Sequence, residues 1–256
     1  MLETFSTFIA PFNSQRTIRV YLPRDYYHSE ESYPVLYMHD GKNVFRDEDA
    51  VGGVSLGLET YLDHIGIGLI VIGIDANPSP EGRVNEFCPW ANGEYSQKII
   101  GYKQDTGGQG EFYTDFIVNE LKPHIDNYYR TISDKTYIAG VSAGGLVSTY
   151  AACRYPGVFS RVAGISSGFY RNQEEIENLL RKSNLSWVDR FYLDCGTEEG
   201  KGDAEASKEF LRSNQTIYDI LKSKSTNTKF LIVAGAEHNY TEFKKRIPAI
   251  IEFMFS

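Results

Sequence analysis

The sequence has few cysteines, and their arrangement provides neither a cross-linking framework nor a metal site. The three cysteines in 256 residues are Cys88, Cys153 and Cys195, and no metal-ligand spacing appears among them. An odd, scattered set of thiols argues against structural disulfides and against zinc binding. We therefore expect no metal ion, predict no cofactor, and regard a reducing compartment as a good fit.

Long apolar runs and basic clusters are also missing. No run approaches the length of a membrane-spanning helix, and Met1–Thr4 lacks the basic start and apolar core of a signal peptide. The net charge is −8, and no Lys/Arg cluster offers a track for phosphates. We expect no membrane contact, no nucleic-acid partner and a cytoplasmic location.

The composition is that of a globular protein in which strands alternate with helices. At 41% hydrophobic and 23% charged residues, the chain can build one large α/β core. Strand patterns cover residues 16–22, 35–38, 69–74, 136–139, 162–165, 190–194 and 229–233. Helical patterns cover residues 56–65, 111–129, 146–154, 173–181, 204–222 and 241–254. This alternation predicts a single α/β domain over residues 1–256, with a mostly parallel sheet and helices on both faces.

Two residues and one segment depart from this pattern. Pro123 should bend or split the helix at 111–129, and Asn214 is a candidate break in the helix at 204–222. The segment from Asp75 to Gly110 has no periodicity and is rich in proline, glycine and aromatic residues. Because its aromatic content argues against disorder, we predict an ordered loop over a site.

A Gly-x-Ser-x-Gly motif, residues 140–144, stands between a short apolar strand and a helix. Strand, sharp turn and helix together are the setting in which such a serine is a nucleophile. Gly140 and Gly144 would supply the lack of bulk that the tight turn demands. The bare motif is weak, because glycine and serine are common enough in this chain for it to arise by chance, and a serine that caps an ordinary helix would also explain the local pattern. An acid and a histidine after later strands would decide between these interpretations.

The order of the polar residues is that of α/β-hydrolases. Ser142 comes first, several acids follow the strand at 190–194, and His238 follows the last strand. A serine needs a base to take its proton as it attacks a carbonyl, and a histidine can accept and return that proton near neutral pH. A carboxylate then orients the imidazole and balances its charge.

The remaining roles have competing candidates. His39 precedes the serine, so we favour a structural hydrogen bond for it over the role of base. Asp194, Glu198, Glu199 and Asp203 all lie near one strand end, and Glu199 is far enough past Gly196 to turn back towards His238. For the oxyanion hole, the chain order indicates the backbone N–H of Ala143 and that of Gly41, or of Lys42 one place on.

Several stretches together resemble the esterase D-like "putative esterase" group of α/β-hydrolases. That group includes enterochelin and bacillibactin esterases, feruloyl esterases and S-formylglutathione hydrolases. The resemblance covers nearly the whole chain and is carried by residues 33–41, 71–75, 83, 86–90, 120–131, 140–146 and 235–239. It implies an α/β-hydrolase fold with little or no cap, which agrees with the lack of a predicted helical insertion between strands.

The resemblance also bears on the acid. Relatives often carry the acid in Gly-Thr-x-Asp, and Gly196-Thr197-Glu198-Glu199 has Glu199 at that place. Glutamate in place of aspartate departs from the pattern, so the strength of the acid's contribution stays open. Trp90, His39 and Lys42 are the candidate pocket residues.

These observations predict a serine carboxylesterase that acts on small soluble esters through an acyl-enzyme. A narrower alternative is a catecholate trilactone or feruloyl-type esterase, because Trp90, Tyr95 and Tyr102 could stack on catechol rings, although these aromatics would equally serve to order their own loop. Acyl transfer to an alcohol and a non-catalytic scaffold are further alternatives, the last disfavoured by the Ser142/His238 pair. The expected partner is a small-molecule ester, and the sequence allows a homodimer.

Overall fold

The protein is built on one eight-stranded sheet. The computed structural model describes residues 1–79, 81–224 and 227–255. The strands are β1 (Leu2–Ile9), β2 (Ser14–Tyr21), β3 (Tyr33–His39), β4 (Ile70–Ile74), β5 (Thr131–Val141), β6 (Arg161–Ile165), β7 (Arg190–Glu198) and β8 (Asn227–Glu237). Their spatial order is β1-β2-β4-β3-β5-β6-β7-β8, with β2 antiparallel to β1 and β4 and the others parallel.

Helices cover both faces of this sheet. They are α1 (Leu58–Ile65), α2 (Gly82–Phe87), α3 (Glu94–Ile100), α4 (Gly110–Phe116), α5 (Lys122–Tyr128), α6 (Ala143–Arg154), α7 (Gln173–Lys182), α8 (Ala204–Lys222) and α9 (Tyr240–Phe255). Alternate residues of β5 enter two separate cores, Ile138 on the side of α6 and Ala139 on the side of α1 and α9. This arrangement is the α/β-hydrolase fold, and it explains the near-continuous apolar runs of the central strands.

The parallel register brings the carboxyl ends of the strands to one edge. Ala139 of β5 lies beside Met38 of β3 and Ala163 of β6, while Asp194 of β7 lies beside Ile165 and Leu231. Side chains that follow β3, β5, β6, β7 and β8 therefore converge, as open parallel sheets require. Within the three described ranges, no helix is long and apolar enough to cross a membrane.

Two features of the structure are absent from the sequence prediction. The first is β1, an edge strand with only Ile9 buried, which gives it too little apolar pattern to be visible. The second is the helical content of the Asp75–Gly110 segment, where α2 and α3 replace part of the expected loop. Helices of six and seven residues are marginal by themselves, so tertiary contacts decide them and the sequence pattern does not reveal them.

The helix predicted around Pro123 is divided, as expected, whereas the helix that contains Asn214 is not. A π-helical turn, Ile117–Leu121, joins α4 to α5 and places Pro123 in the first turn of α5, where its missing N–H is tolerated. Asn214 does not break α8. Its buried Nδ2 donates to the carbonyl oxygens of Ser167 (2.9 Å) and Phe210 (3.1 Å), so the amide nitrogen is paired both within the helix and with the segment after β6.

The junction between β5 and α6 is a close contact between two glycines. A Cβ atom on Gly140 would lie 2.4 Å from the carbonyl carbon of Gly144, whereas a Cβ on Gly144 would lie 3.4 Å from the nearest atom, Cβ of His39. The requirement for glycine is thus steric at Gly140, while Gly144 has the space of an ordinary van der Waals contact.

We predict that the two glycines respond differently to alanine. Gly140→Ala should lower the free energy of unfolding by about 1–3 kcal/mol, because backbone must move to admit the methyl group. Gly144→Ala should cost less than about 1 kcal/mol, since an α6 position gains helix propensity from alanine. Urea denaturation of both variants measures the difference, and equal losses would contradict the steric assignment.

Candidate active site

Ser142 occupies the single residue between β5 and α6 in a strained conformation. Its φ of 58° and ψ of −123° lie outside the regions that non-glycine residues prefer. Two backbone bonds hold it there: its N–H donates to Ile165 O (2.9 Å), and its carbonyl accepts from Gly168 N (2.8 Å). The side chain is half-buried at the positive end of α6, as expected of a nucleophile elbow.

His238 follows β8 and is held by an acid and two aromatic rings. Its Nδ1 lies 2.6 Å from Oε2 of Glu199, and because a carboxylate only accepts, Nδ1–H is the donor. The ring centroids of Phe210 and Phe243 lie 5.4 Å and 5.1 Å from that of the imidazole, both near edge-on. These contacts fix the ring plane and leave Nε2 as the free ring nitrogen.

Glu199 is the acid that the structure brings to His238. It is buried, and its second oxygen, Oε1, accepts from Gly196 N (2.6 Å) and from Ser166 Oγ (2.5 Å). Burial by itself would raise the pKa of Glu199, but the hydrogen bonds from His238, Ser166 and Gly196 outweigh it and hold that pKa below its usual value. The carboxyl group therefore stays ionised at neutral pH.

The other three acids face elsewhere. Glu198 is exposed at the end of β7, which extends four residues past the predicted end at Asp194. Asp203 caps α8 by accepting from Glu205 N (3.0 Å) and Ala206 N (2.9 Å). Asp194 is paired with Arg246 in the interior.

Ser142 and His238 line the same cavity of about 520 Å³. Its other walls are Asp40, Lys42, Asn43, Val51, Ala76, Asn77, Pro78, Arg83, Val141, Asn239, Tyr240 and Phe243. Among the predicted pocket residues this set contains Lys42, while His39 and Trp90 lie outside it. Trp90 instead packs edge-on against Tyr150, with ring centroids 5.3 Å apart.

His39 has the structural role that its position before the serine indicates. It is buried, with Nδ1 2.9 Å from Tyr113 Oη and Nε2 3.0 Å from Ser148 Oγ. Because Ser148 Oγ donates to Gly144 O (2.7 Å), the His39 proton sits on Nε2 and Nδ1 accepts from Tyr113. Burial lowers the pKa of His39 to about 3, so the ring is neutral.

An ion pair shapes the turn after β3. Arg83 of α2 donates to both carboxylate oxygens of Asp40, at 2.6 Å and 2.8 Å, and Asp40 has a left-handed φ of 59°. Gly41 is packed so tightly that a Cβ there would lie 2.6 Å from Asp75 Oδ1, and it does not line the cavity, whereas Lys42 does. The sequence contained Arg83 and Asp40, but only the fold reveals that they are partners.

Among the residues described, no group of three or more His, Cys, Asp or Glu side chains is placed to hold a metal ion. The chemical groups that converge at this edge are instead a hydroxyl, an imidazole and a carboxylate. Such a set can deliver a nucleophile to a carbonyl, move its proton and balance the charge that develops.

The fold is shared with solved structures of low sequence identity. The IroE-like serine hydrolase of Shewanella oneidensis is 18% identical, with a TM-score of 0.77 over 99% of this chain and 79% of that one. A siderophore hydrolase, EstA of Aspergillus nidulans, is 16% identical, with a TM-score of 0.78 over 98% and 94%. The BES protein of Bacillus cereus is 17% identical, with a TM-score of 0.73 over 99% and 94%.

Sequence similarity extends over nearly the whole chain. The chain is 26% identical over 245 residues to the uncharacterized protein YbbA of Bacillus subtilis (strain 168). The aligned region covers 94% of this chain and 92% of that protein. The family described as "Putative esterase" matches residues 9–254. The chain therefore belongs to the putative esterase family of α/β-hydrolases and is a carboxylic ester hydrolase.

Proposed function

We propose that the protein is a serine esterase in which Ser142 is the nucleophile, His238 the base and Glu199 the acid. The observation that carries the proposal is the 2.6 Å contact between Glu199 Oε2 and His238 Nδ1, at a cavity that His238 shares with Ser142. A buried, ionised acid on one ring nitrogen leaves the other to act on the hydroxyl. Neither Glu198 nor Asp203 has this geometry.

The reaction follows from these positions. Nε2 of His238 takes the proton of Ser142 as Oγ attacks the ester carbonyl, and Glu199 balances the imidazolium charge. The proton then passes to the alkoxide leaving group, and an acyl-enzyme on Ser142 remains. Water attacks this acyl group with His238 as base, the bond to Oγ breaks, and the carboxylic acid leaves.

Two backbone N–H groups are the candidates for the oxyanion hole. Ala143 begins α6 directly after Ser142, so its N–H has no partner within the helix and is suited to an oxyanion beside the nucleophile. For the second donor, the cavity lining favours Lys42 over Gly41, which is buried against Gly73 and Asp75. The Arg83–Asp40 pair then holds the turn that presents this group.

The substrate that the cavity supports best is a small ester. Apolar walls at Val51, Pro78 and Phe243 suit an acyl or alkyl group, and Tyr240, Asn77 and Asn239 suit its polar atoms. A catecholate or feruloyl-type ester is the second candidate, because Lys42 lines the cavity, makes no ion pair with any other described residue, and has an ammonium group suited to an ionised catecholate or a phenolic oxygen. Tyr95, by contrast, donates to Glu209 Oε2 (2.8 Å) and has its hydroxyl engaged.

Ser142→Ala should abolish activity and covalent labelling. Loss of the nucleophile is expected to lower kcat by about four orders of magnitude or more, because the acyl-enzyme cannot form. Hydrolysis of p-nitrophenyl acetate and labelling by a fluorophosphonate measure this loss. Ser186→Ala, at an exposed serine, is the control. Labelling that persists without Ser142 would place the nucleophile elsewhere.

Glu199→Gln should slow turnover by about ten- to a thousandfold with little change in KM, since an amide cannot balance the imidazolium charge. Glu198→Gln and Asp203→Asn should change kcat less than about twofold, because neither side chain contacts His238. Parallel steady-state kinetics on the three variants test the assignment. The acid would be reassigned if Glu198→Gln lost activity while Glu199→Gln kept it.

Lys42→Met should discriminate between the two substrate classes. If catecholate or feruloyl-type esters bind at Lys42 through an ionised or phenolic oxygen, their KM should rise several-fold, the size of a partly exposed polar contact, while p-nitrophenyl acetate, which has no such oxygen, is unaffected. Lys135→Met is the matched control, because Lys135 is exposed and lies in the first half of β5, away from the end that leads to Ser142. An unchanged KM for dihydroxybenzoyl and feruloyl esters would favour the small neutral substrate.

A further inference from the structure

The acid Glu199 is fixed at both of its oxygens, and only one of them faces His238. Oε1 accepts from Ser166 Oγ at 2.5 Å and from Gly196 N at 2.6 Å. A glutamate has one more rotatable bond than an aspartate, so it needs more restraint to hold one orientation. The contacts on Oε1 supply that restraint, and Ser166 is the side chain among them.

The direction of the Ser166 bond follows from its second partner. Arg246 Nη1 lies 2.7 Å from Ser166 Oγ, and a guanidinium only donates. Ser166 therefore accepts from Arg246 and has its one proton left for Glu199. Ser166 is buried just after β6 with a left-handed φ of 43°, and its N–H donates to Asp194 Oδ1 (3.1 Å). The hydroxyl is thus held by its backbone as well as by its partners.

Arg246 of α9 connects this serine to a second buried acid. Its Nη1 also donates to Asp194 Oδ1 at 2.8 Å, and its Nη2 lies 3.9 Å from Glu199 Oε1. Burial raises the pKa of Asp194 to about 6, although Arg246 opposes that effect, and Tyr192 Oη donates to Oδ2 (3.2 Å). Arg246 therefore forms an ion pair with Asp194, and Glu199 is the carboxylate that contacts the imidazole.

The groups that face Glu199 are few. His238 lies on Oε2, while Arg246, Ser166 and the N–H of Gly196 lie on the side of Oε1. The Cys195 thiol and Asp194 belong to β7, the strand that ends just before Glu199. All but His238 are buried, so bulk water cannot substitute for a lost donor there.

We propose that Ser166, itself oriented by Arg246 and Asp194, is a positioning residue that holds Glu199 towards His238. The inference rests on the proposed role of Glu199 in turnover. Ser166 touches no reacting atom, and it acts through the carboxylate. Its loss should free the longer glutamate side chain to leave the imidazole, which slows the chemical step and leaves substrate binding unchanged.

The test compares two adjacent buried serines. Ser166→Ala should lower kcat about ten- to a hundredfold, the size expected for a lost hydrogen bond to a charged group, with KM within twofold. The downfield proton resonance of His238 Nδ1–H should shift or broaden in the same variant. Ser167→Ala is the control, because Ser167 Oγ is equally buried and has no partner among the described residues. It should leave both measurements unchanged.

Ser166→Gly tests the same point without the strain of a left-handed alanine, since glycine adopts positive φ readily. It should match Ser166→Ala in kcat and in the resonance if the hydroxyl is the cause. Normal kcat and an unchanged resonance in Ser166→Gly would overturn the proposal, as would equal losses in Ser167→Ala. Activity that survives in Ser142→Ala would instead overturn the serine mechanism, so the two failures are distinguishable.

Discussion

The contact between β5 and α6 is the constraint on which the remaining site depends. Gly140 and Gly144 approach so closely that Ser142 must adopt a left-handed φ, and two backbone hydrogen bonds hold it there. The strain is sustained because α6 is buried along almost its whole length against the sheet. With Ser142 held in place, the ends of β7 and β8 bring Glu199 and His238 to the same edge of the sheet.

Much of this arrangement could be predicted from the sequence, because each part has a local signal. The apolar runs of β3, β4 and β5, and the order of Ser142 before His238, follow from patterns of a few residues. The edge strand β1 could not be predicted because only Ile9 of it is buried, and the short helices α2 and α3 could not be predicted because partners distant in sequence stabilise them. Gly107 N, for example, donates to Asn85 Oδ1 (2.8 Å), 22 residues away, beside the end of α2.

In the candidate site, too, residues with a local sequence signal could be predicted and residues that meet only after folding could not. Glu199 was favoured over Glu198 and Asp203 by its offset from Gly196, and the structure places it on His238. Trp90 and His39 were candidates for the pocket because aromatic and strand-end residues commonly line one, yet Trp90 packs on Tyr150 and His39 on Tyr113 and Ser148. The Ser166–Arg246–Asp194 set has no sequence signature, because its members come from three elements and meet only after folding.

The ion pair between Arg83 and Asp40 joins two parts of the site that lie 43 residues apart in the sequence. Arg83 belongs to α2, in the segment that follows β4, while Asp40 directly precedes Gly41 and Lys42. Directed evolution of substrate range in this segment would therefore also disturb the turn at Lys42 whenever position 83 is randomised. Libraries that keep Arg83 and Asp40 together, and vary Ala76, Asn77 and Pro78, would separate changes of selectivity from changes of catalytic power.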